Sequence, residues 1–528
     1  MPAHRSPRGS NVAAIPAGLV FGCVLACAPG LACASLGVVG NYAVPNPNGF
    51  DPVDDAFGVA TAAGDFNADG IDDLAIADRQ HPNLVHVFLG TPWSIGEPTS
   101  FPFLMETVSV PAVAGSSAGP PTVLAVGDFG HDATDDDEIV VGVPGDSLDA
   151  EGNGAVFVID RAPGGGWSVI DVIRQGDDGY VGISEAGDHF GAALAVGRFD
   201  QNSLVDLAIG IPGETTSGEA SAGAVMVVAQ GVGGLFPEGV EVFYRGFNGL
   251  TGVPRANEDF GFALAAGDFN GDGIDDLAVG IPGTTCAGFV DAGSVMVLLG
   301  QDNLDGLDAA GVTYWNQTHA GVLDDCEAGD RFGAALAAGY LDATPIGDPF
   351  TEDLVVGVPG EAIDGVALAG AVAVLYGSEN SITAADNLLL HEGMLPGGSL
   401  VPAAFGSRVA VGRIRNGPGA YDLVISSTLA NEAGLPFAGR AWMIPSSIDG
   451  IHPERAVRFS LTPGYAAAPP AQGDGYGLQL AIGDFNGDGD NDLAVGIPGH
   501  DGTAANSGTV QVIYQSEFIF VDGFDAGD

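Results

Sequence analysis

Residues Gly267 to Gly283 read GDFNGDGIDDLAVGIPG. Gly and Asp dominate the first half, and both disfavour helix interiors. Carboxylate or amide oxygens stand at Asp268, Asn270, Asp272 and Asp276, with Gly273 at the sixth position where a sharp bend is needed. The second half is apolar and ends in Gly-Ile-Pro-Gly. The stretch therefore reads as strand, oxygen-rich loop, strand, tight turn. Nearly the same words occur at Gly64 to Ala77 and at Gly483 to Gly499.

Working outward, the Gly that opens the loop recurs at Gly64, Gly127, Gly197, Gly267, Gly339, Gly412 and Gly483, 63 to 73 residues apart. Such self-similarity signals a repeat architecture. Upstream stands an aromatic-Gly pair (Phe57-Gly58, Phe190-Gly191, Phe260-Gly261, Phe332-Gly333, Phe405-Gly406, Tyr476-Gly477), absent only from repeat two. Downstream, a Gly-Ile-Pro-Gly or Gly-Val-Pro-Gly turn precedes a third strand such as GAVMVV from Gly223, with the period of two that strands require. A more polar fourth strand, Val240 to Tyr244 or Val312 to Trp315, ends the unit. Seven units of four short antiparallel strands predict an all-β fold, a seven-bladed β-propeller. Repeat seven has only three strands through Tyr514. Residues near 37–44 (GVVGNYAV from Gly37) are expected to supply its outer strand and close the ring.

The loops predict about three calcium sites, because Ca2+ takes six to eight oxygens in flexible geometry. The donors are Asp65, Asn67, Asp69, the Ile71 carbonyl and Asp73; Asp268, Asn270, Asp272, the Ile274 carbonyl and Asp276; and Asp484, Asn486, Asp488, the Asp490 carbonyl and Asp492. Repeat two keeps Asp128, Asp132, Asp135 and Asp136, but its spacing is two residues too long. Repeat three has Arg198 at position one, and repeat six has Arg413 and Arg415, where a guanidinium can replace the ion. Repeat five retains Asp342 and Asp353 across an insertion with Pro345 and Pro349.

The Phe-Gly pair, acidic loop and Gly-Ile-Pro-Gly turn, in that order, resemble the FG-GAP repeats of the integrin α-subunit propeller. The resemblance covers roughly residues 37–515. It implies that the calcium loops lie on the lower face and that ligand contacts come from loops on the upper face. The chain departs from integrins in lacking legs, a transmembrane helix and an inserted ligand-binding domain.

Composition sets further bounds. The chain has 68 acidic residues against 15 basic, all of them Arg, for a net charge of −53. That field repels phosphate backbones and argues against nucleic acid. Residues 1–34 look like an export signal: Arg5 and Arg8, an apolar run from Ile15, and small residues at Ala32, Cys33 and Ala34. Cleavage is preferred over lipid anchoring at Cys27, and no mature segment has the apolar length of a transmembrane span. The propeller is expected over residues 35–515, with a tail at 516–528. Cys286 and Cys326, the pair remaining in the mature chain, are expected to form a disulfide between adjacent blades, since both flank strands on the face opposite the acidic loops.

Gly115 to Gly119 matches G-x-S-x-G but lies in an inter-blade loop followed by Pro120-Pro121, not at a strand-to-helix turn. Gly145-Asp146-Ser147-Leu148 is the Gly-Pro turn of repeat two. The His residues, His189 included, show no metal-ligand spacing. No catalytic constellation emerges. The expected function is an exported or cell-surface calcium-stabilised binding or adhesion module, monomeric, for a protein or carbohydrate ligand. A secreted hydrolase or lyase with a channel site, or a structural surface component, are the alternatives.

Overall fold

The computed structural model describes most of residues 42–514. Residues 1–41 and 515–528 lie outside the described residues, as do several internal stretches, the longest being 46–55, 93–103, 110–121 and 343–350. The export signal, the tail, the Gly115–Gly119 motif, Asp132, Asp135, Pro345 and Pro349 fall in these parts.

Seven four-stranded antiparallel sheets follow one another along the chain. Blade four shows the plan: Ala263–Gly267, Asp276–Gly280, Val295–Leu299 and Asp308–Trp315, hydrogen-bonded in sequence order. Blade three has Ala193–Gly197, Asp206–Ile211, Ala224–Gly231 and Gly234–Phe243; blade five has Ala335–Gly339, Asp353–Val358, Ala371–Ser378 and Ser381–Leu390. Blade seven contains Gln479–Gly483, Asp492–Ile497 and Thr509–Ile513, with Tyr42–Pro45 paired antiparallel to the last of these. Among the described residues no helix is long and apolar enough to cross a membrane.

The second and third strands of each blade are buried on both faces, so they read as near-continuous apolar runs rather than alternating ones. Their side chains fill the spaces between blades. Leu74 and Ile76 of blade one pack with Phe485, Val510 and Val512 of blade seven, whereas Ala75, Val85 and Val87 pack with Ile139 and Val141 of blade two. Each of these core clusters thus belongs to a pair of neighbouring blades, and among the described residues no single central core joins them all. The apolar residue at position two of the loop region (Phe66, Phe129, Phe199, Phe269, Leu341, Ile414, Phe485) is fully buried in every blade. Each such Phe is worth roughly 2–3 kcal/mol of burial.

The repeated glycines mark where backbones of successive blades meet. A Cβ on Gly210, the first Gly of its Gly-Ile-Pro-Gly turn, would overlap the carbonyl oxygen of Gly261 in blade four. Gly261 itself holds φ +85°, which disfavours any other residue. The aromatic before it forms a parallel bridge to the Gly opening the third strand of the preceding blade (Phe260 with Gly223). The same bridge joins Phe57 of blade one to Gly508 of blade seven, and Gly483 packs against Ala63. The ring therefore meets itself through the same contacts that join its other blades.

Two sequence readings change. The fourth strands are longer than expected, Gly234–Phe243 and Asp308–Trp315 rather than Val240 to Tyr244 and Val312 to Trp315. Register shifts near Val228 and Val297 let the outer edge continue past the point where apolar alternation stops. In blade two, Glu138 rather than Asp136 opens the second strand opposite Gly127.

Candidate functional site: acidic loops on one face, apolar loops on the other

The loops of blades one, four and seven share one internal frame. The position-one carboxylate accepts the N–H groups of positions five and six: Asp65 from Asp69 (3.1 Å) and Gly70 (2.7 Å), Asp268 from Asp272 (3.1 Å) and Gly273 (2.8 Å), Asp484 from Asp488 (3.1 Å) and Gly489 (2.8 Å). The position-five carboxylate then accepts the N–H of position seven, from Ile71, Ile274 and Asp490, at 3.0 Å each. Asn270 and Asn486 accept from Asp272 and Asp488 at 2.8 Å, whereas Asn67 turns its amide nitrogen to Asp73. Three loops of the same length, far apart in the chain, thus fold into the same carboxylate-capped turn.

Position nine is a buried hub. Asp276 accepts Phe269 N–H (3.1 Å) on one oxygen and Gly300 N–H (2.9 Å) on the other, tying the loop to the end of the third strand. Asp73 accepts from Phe66 (3.0 Å) and Gly90 (2.6 Å), and Asp206 and Asp353 do likewise in blades three and five. In blade two Glu138 accepts Phe129 N–H at 2.7 Å, its extra methylene spanning the two-residue expansion. Burial pushes Asp73 and Asp276 up to about 8, with neighbouring loop carboxylates adding to the shift. In blade six the hub Asp422 meets Arg415 through two hydrogen bonds of 2.7 and 2.9 Å. There a guanidinium supplies the positive charge.

One role was not read from the sequence. The residue at position eight clasps position one of the preceding blade by paired bonds. Asp137 N–H donates to the Asp65 carbonyl while Asp65 N–H donates to the Asp137 carboxylate, both at 3.0 Å. Asp275 does the same with Arg198 at 2.8 Å, and Asp72 with Asp484 at 3.0 and 2.8 Å. The doubled acid of Ile-Asp-Asp-Leu was the available signal: its first member joins blades and its second joins strands.

The predicted donors of blades one, four and seven thus share a turn in each loop, but among the described residues no loop brings three carboxylates within 4.8 Å of one another. The set is carboxylate, amide and carbonyl oxygen, without His or Cys, which fits a hard cation.

The opposite face differs in character. Every large apolar side chain that is exposed among the described residues lies there, in loops joining second to third strands or one blade to the next. Examples are Ile183, Val253, Phe289, Val290 and Phe437. A cavity of about 450 Å³ opens between blades two and three, lined by Gln175, Val181, Glu214, Val242, Tyr244 and Phe247. Tyr244 and Phe247 stack at 4.7 Å. Burial raises Glu214 to about 7, helped by Asp188 and Glu185 and opposed by Gln175. Cys286 and Cys326 are bonded on this face, with Cα atoms 6.0 Å apart, linking the second-to-third-strand loop of blade four to the connection entering blade five. Ser147 is part of a turn: its hydroxyl donates to the Gly145 carbonyl (3.3 Å) and accepts Gly152 N–H (2.9 Å). His189 approaches the Pro144 carbonyl at 3.4 Å.

The FG-GAP repeat family matches residues 57–88, 260–298 and 476–513, the three repeats with complete acidic loops. The chain is 27% identical over 290 residues to Integrin alpha-5 of Xenopus laevis, covering 54% of this chain and 24% of that protein. It is 28% identical over 261 residues to Integrin alpha-PS2 of Drosophila melanogaster, covering 48% and 15%. It is 32% identical over 214 residues to Phosphatidylinositol-glycan-specific phospholipase D of Rattus norvegicus, covering 40% and 22%. The matched segments span no more than about a quarter of each relative. The chain carries FG-GAP repeats on a seven-bladed β-propeller, with integrin α chains among its homologues.

Proposed function

We propose that this is an exported, calcium-stabilised propeller that presents its apolar loop face to a protein or carbohydrate ligand. The segregation of exposed apolar side chains carries the reading: a face of this kind is an interaction surface more often than a solvated one. Similarity to integrin α chains supports a binding role, and the acidic loops fit a fastening role on the other face. A catalytic ion has no reason to recur around a ring and give way to Arg415 in one blade.

The test is a screen of the purified chain against immobilised glycans and proteins from its surroundings. Phe289→Ser with Phe437→Ser is expected to weaken any captured ligand about tenfold or more. Unchanged binding would move the site elsewhere. Calcium removal is expected to lower the thermal midpoint, because an ion bound only by the folded state stabilises it by mass action. An unmoved midpoint after chelation would refute calcium as a fastening.

A second reading rests on the phospholipase D similarity and on the Glu214 carboxyl in its cavity. Hydrolysis of ester, phosphodiester or glycoside substrates, lost in Glu214→Gln, would favour an enzyme over a binding module.

A further inference from the structure

On the apolar-loop face, where blades four and five meet, Glu327, Asp330 and Glu361 bring carboxylate oxygens within 4.8 Å of one another. Glu327 and Asp330 come from the connection entering blade five, and Glu361 follows the Gly-Val-Pro-Gly turn of that blade. Asp330 and Glu361 are buried, while Glu327 is exposed. The fourth wall is the Gln317 amide, 3% exposed, whose nitrogen donates to Glu361. Its oxygen, Gln317 Oε1, is buried without a hydrogen-bond partner. A buried amide oxygen beside carboxylates has nothing to accept from, and its desolvation is uncompensated unless a positive species is present.

The junction of blades two and three repeats this set with Gln175, Glu185, Asp188 and Glu214, Gln175 donating to Glu214, but does not bring its three acids within 4.8 Å of one another. Three other junctions differ. Between blades three and four, Arg245 occupies the place of Gln317 and pairs with Glu258, which occupies the place of Asp330, at 2.6 Å. Between blades five and six, Glu392 receives Arg440 Nε at 2.8 Å. In blade seven Asp474 lies 3.5 Å from His500, which stands where Glu361 does. Each of these three junctions contains its own basic side chain. The blade four–five junction has three acids and an amide, and among the described residues none of them is in an ion pair. Arg331, next in sequence, lies over the Phe262 ring at 5.3 Å.

We propose that Gln317, Glu327, Asp330 and Glu361 form a divalent-cation site, separate from the acidic loops and on the opposite face. The donors are all hard oxygens, which selects the calcium class over zinc or copper. The exposed side at Glu327 leaves room for water to complete the shell. Cys326 is adjacent to Glu327, so the ion and the Cys286–Cys326 bond would fix the same connection. The ion would do for this junction what Arg245 and Arg440 do for theirs.

The experiment is native mass spectrometry and metal analysis of the purified full chain with Ca2+ as the probe. Asp330→Asn with Glu361→Gln is expected to bind about one ion fewer per chain than the unsubstituted protein. Asp268→Asn with Asp276→Asn serves as the reference for an acidic loop. Loss in the first variant with none in the second would sustain this site and refute the loop reading; the reverse would refute this site alone. Gln317→Arg, which copies blade four, gives an independent readout. It is expected to abolish the ion and to raise the thermal midpoint in chelator, where the unsubstituted junction lacks a positive charge. Undiminished calcium stoichiometry in both Gln317→Arg and the Asp330/Glu361 variant would overturn the proposal.

Discussion

At the residue scale, Arg415 and Asp422 show how a loop without a complete donor set is kept neutral. Asp422 is fully buried, and the guanidinium also donates to the Ser446 carbonyl at 2.6 Å. Removing one partner of a buried pair leaves the other uncompensated, so Arg415→Ala is expected to cost roughly 3 kcal/mol or more. Chemical denaturation would read this loss, and added calcium is not expected to restore it, since Arg413 stands at position one of that loop. The sequence made this substitution legible, because Arg falls where Asp is usual. It did not reveal the clasps of Asp72, Asp137 and Asp275. A carboxylate that caps a neighbour's N–H looks the same in sequence as one that holds an ion, and only the backbone of the next blade separates the two. The Gln317 amide escaped notice for a related reason: its meaning depends on Arg245 occupying the corresponding place in another repeat.

At the element scale, the inner strands were legible and the outer ones only in part. Near-continuous runs of Val, Ile, Leu and Ala mark the inner strands buried on both faces, but solvent-facing fourth strands such as Asp308–Trp315 carry no such signal. The glycine contacts yield a prediction. Gly261→Ala adds a Cβ at positive φ against Val225 and the Ala224 carbonyl, and strain plus overpacking is expected to cost roughly 3 kcal/mol. A loss below about 1 kcal/mol in denaturant titration would mean the blade junction yields more readily than its geometry implies. The cavity between blades two and three yields another. Glu214 has its folded pKa raised from the ordinary 4.5 to about 7, chiefly by burial. The folded state therefore retains a proton that the unfolded state has released, and stability falls as pH rises through this window. Glu214→Gln is expected to leave the thermal midpoint near its original value at pH 4 and to raise it at pH 8, measured in chelator. Equal midpoints at pH 8 would show that the carboxyl ionises without penalty.

At the scale of the whole molecule, stability is distributed over junctions between blades, each with its own apolar cluster. The Cys286–Cys326 bond closes a segment of 40 residues across one of them. In the chain-entropy view such a loop contributes up to about 4 kcal/mol, so reduction is expected to lower the midpoint by several degrees. Mass analysis of the alkylated chain would report how many thiols are free. Tyr42–Pro45 pairs with Thr509–Ile513 as an outer strand of blade seven, and truncation tests whether that pairing closes the ring. Deleting residues through Pro45 is expected to lower stability and broaden the unfolding transition as the exposed edge loosens. An unchanged transition would assign closure to Phe57, Gly483 and Asp72 alone.

The clasp between Asp72 and Asp484 joins residues 412 positions apart. At about 5–20 residues per second of synthesis, roughly 20–80 seconds separate the appearance of the two partners. During that interval the face of blade one carrying Leu74 and Ile76 has no seventh blade to cover it. The junction that completes the ring is thus the last that can form, and the waiting time is set by the ribosome rather than by the physics of the contact. A stalled or slowed chain would present that apolar face to whatever else is nearby.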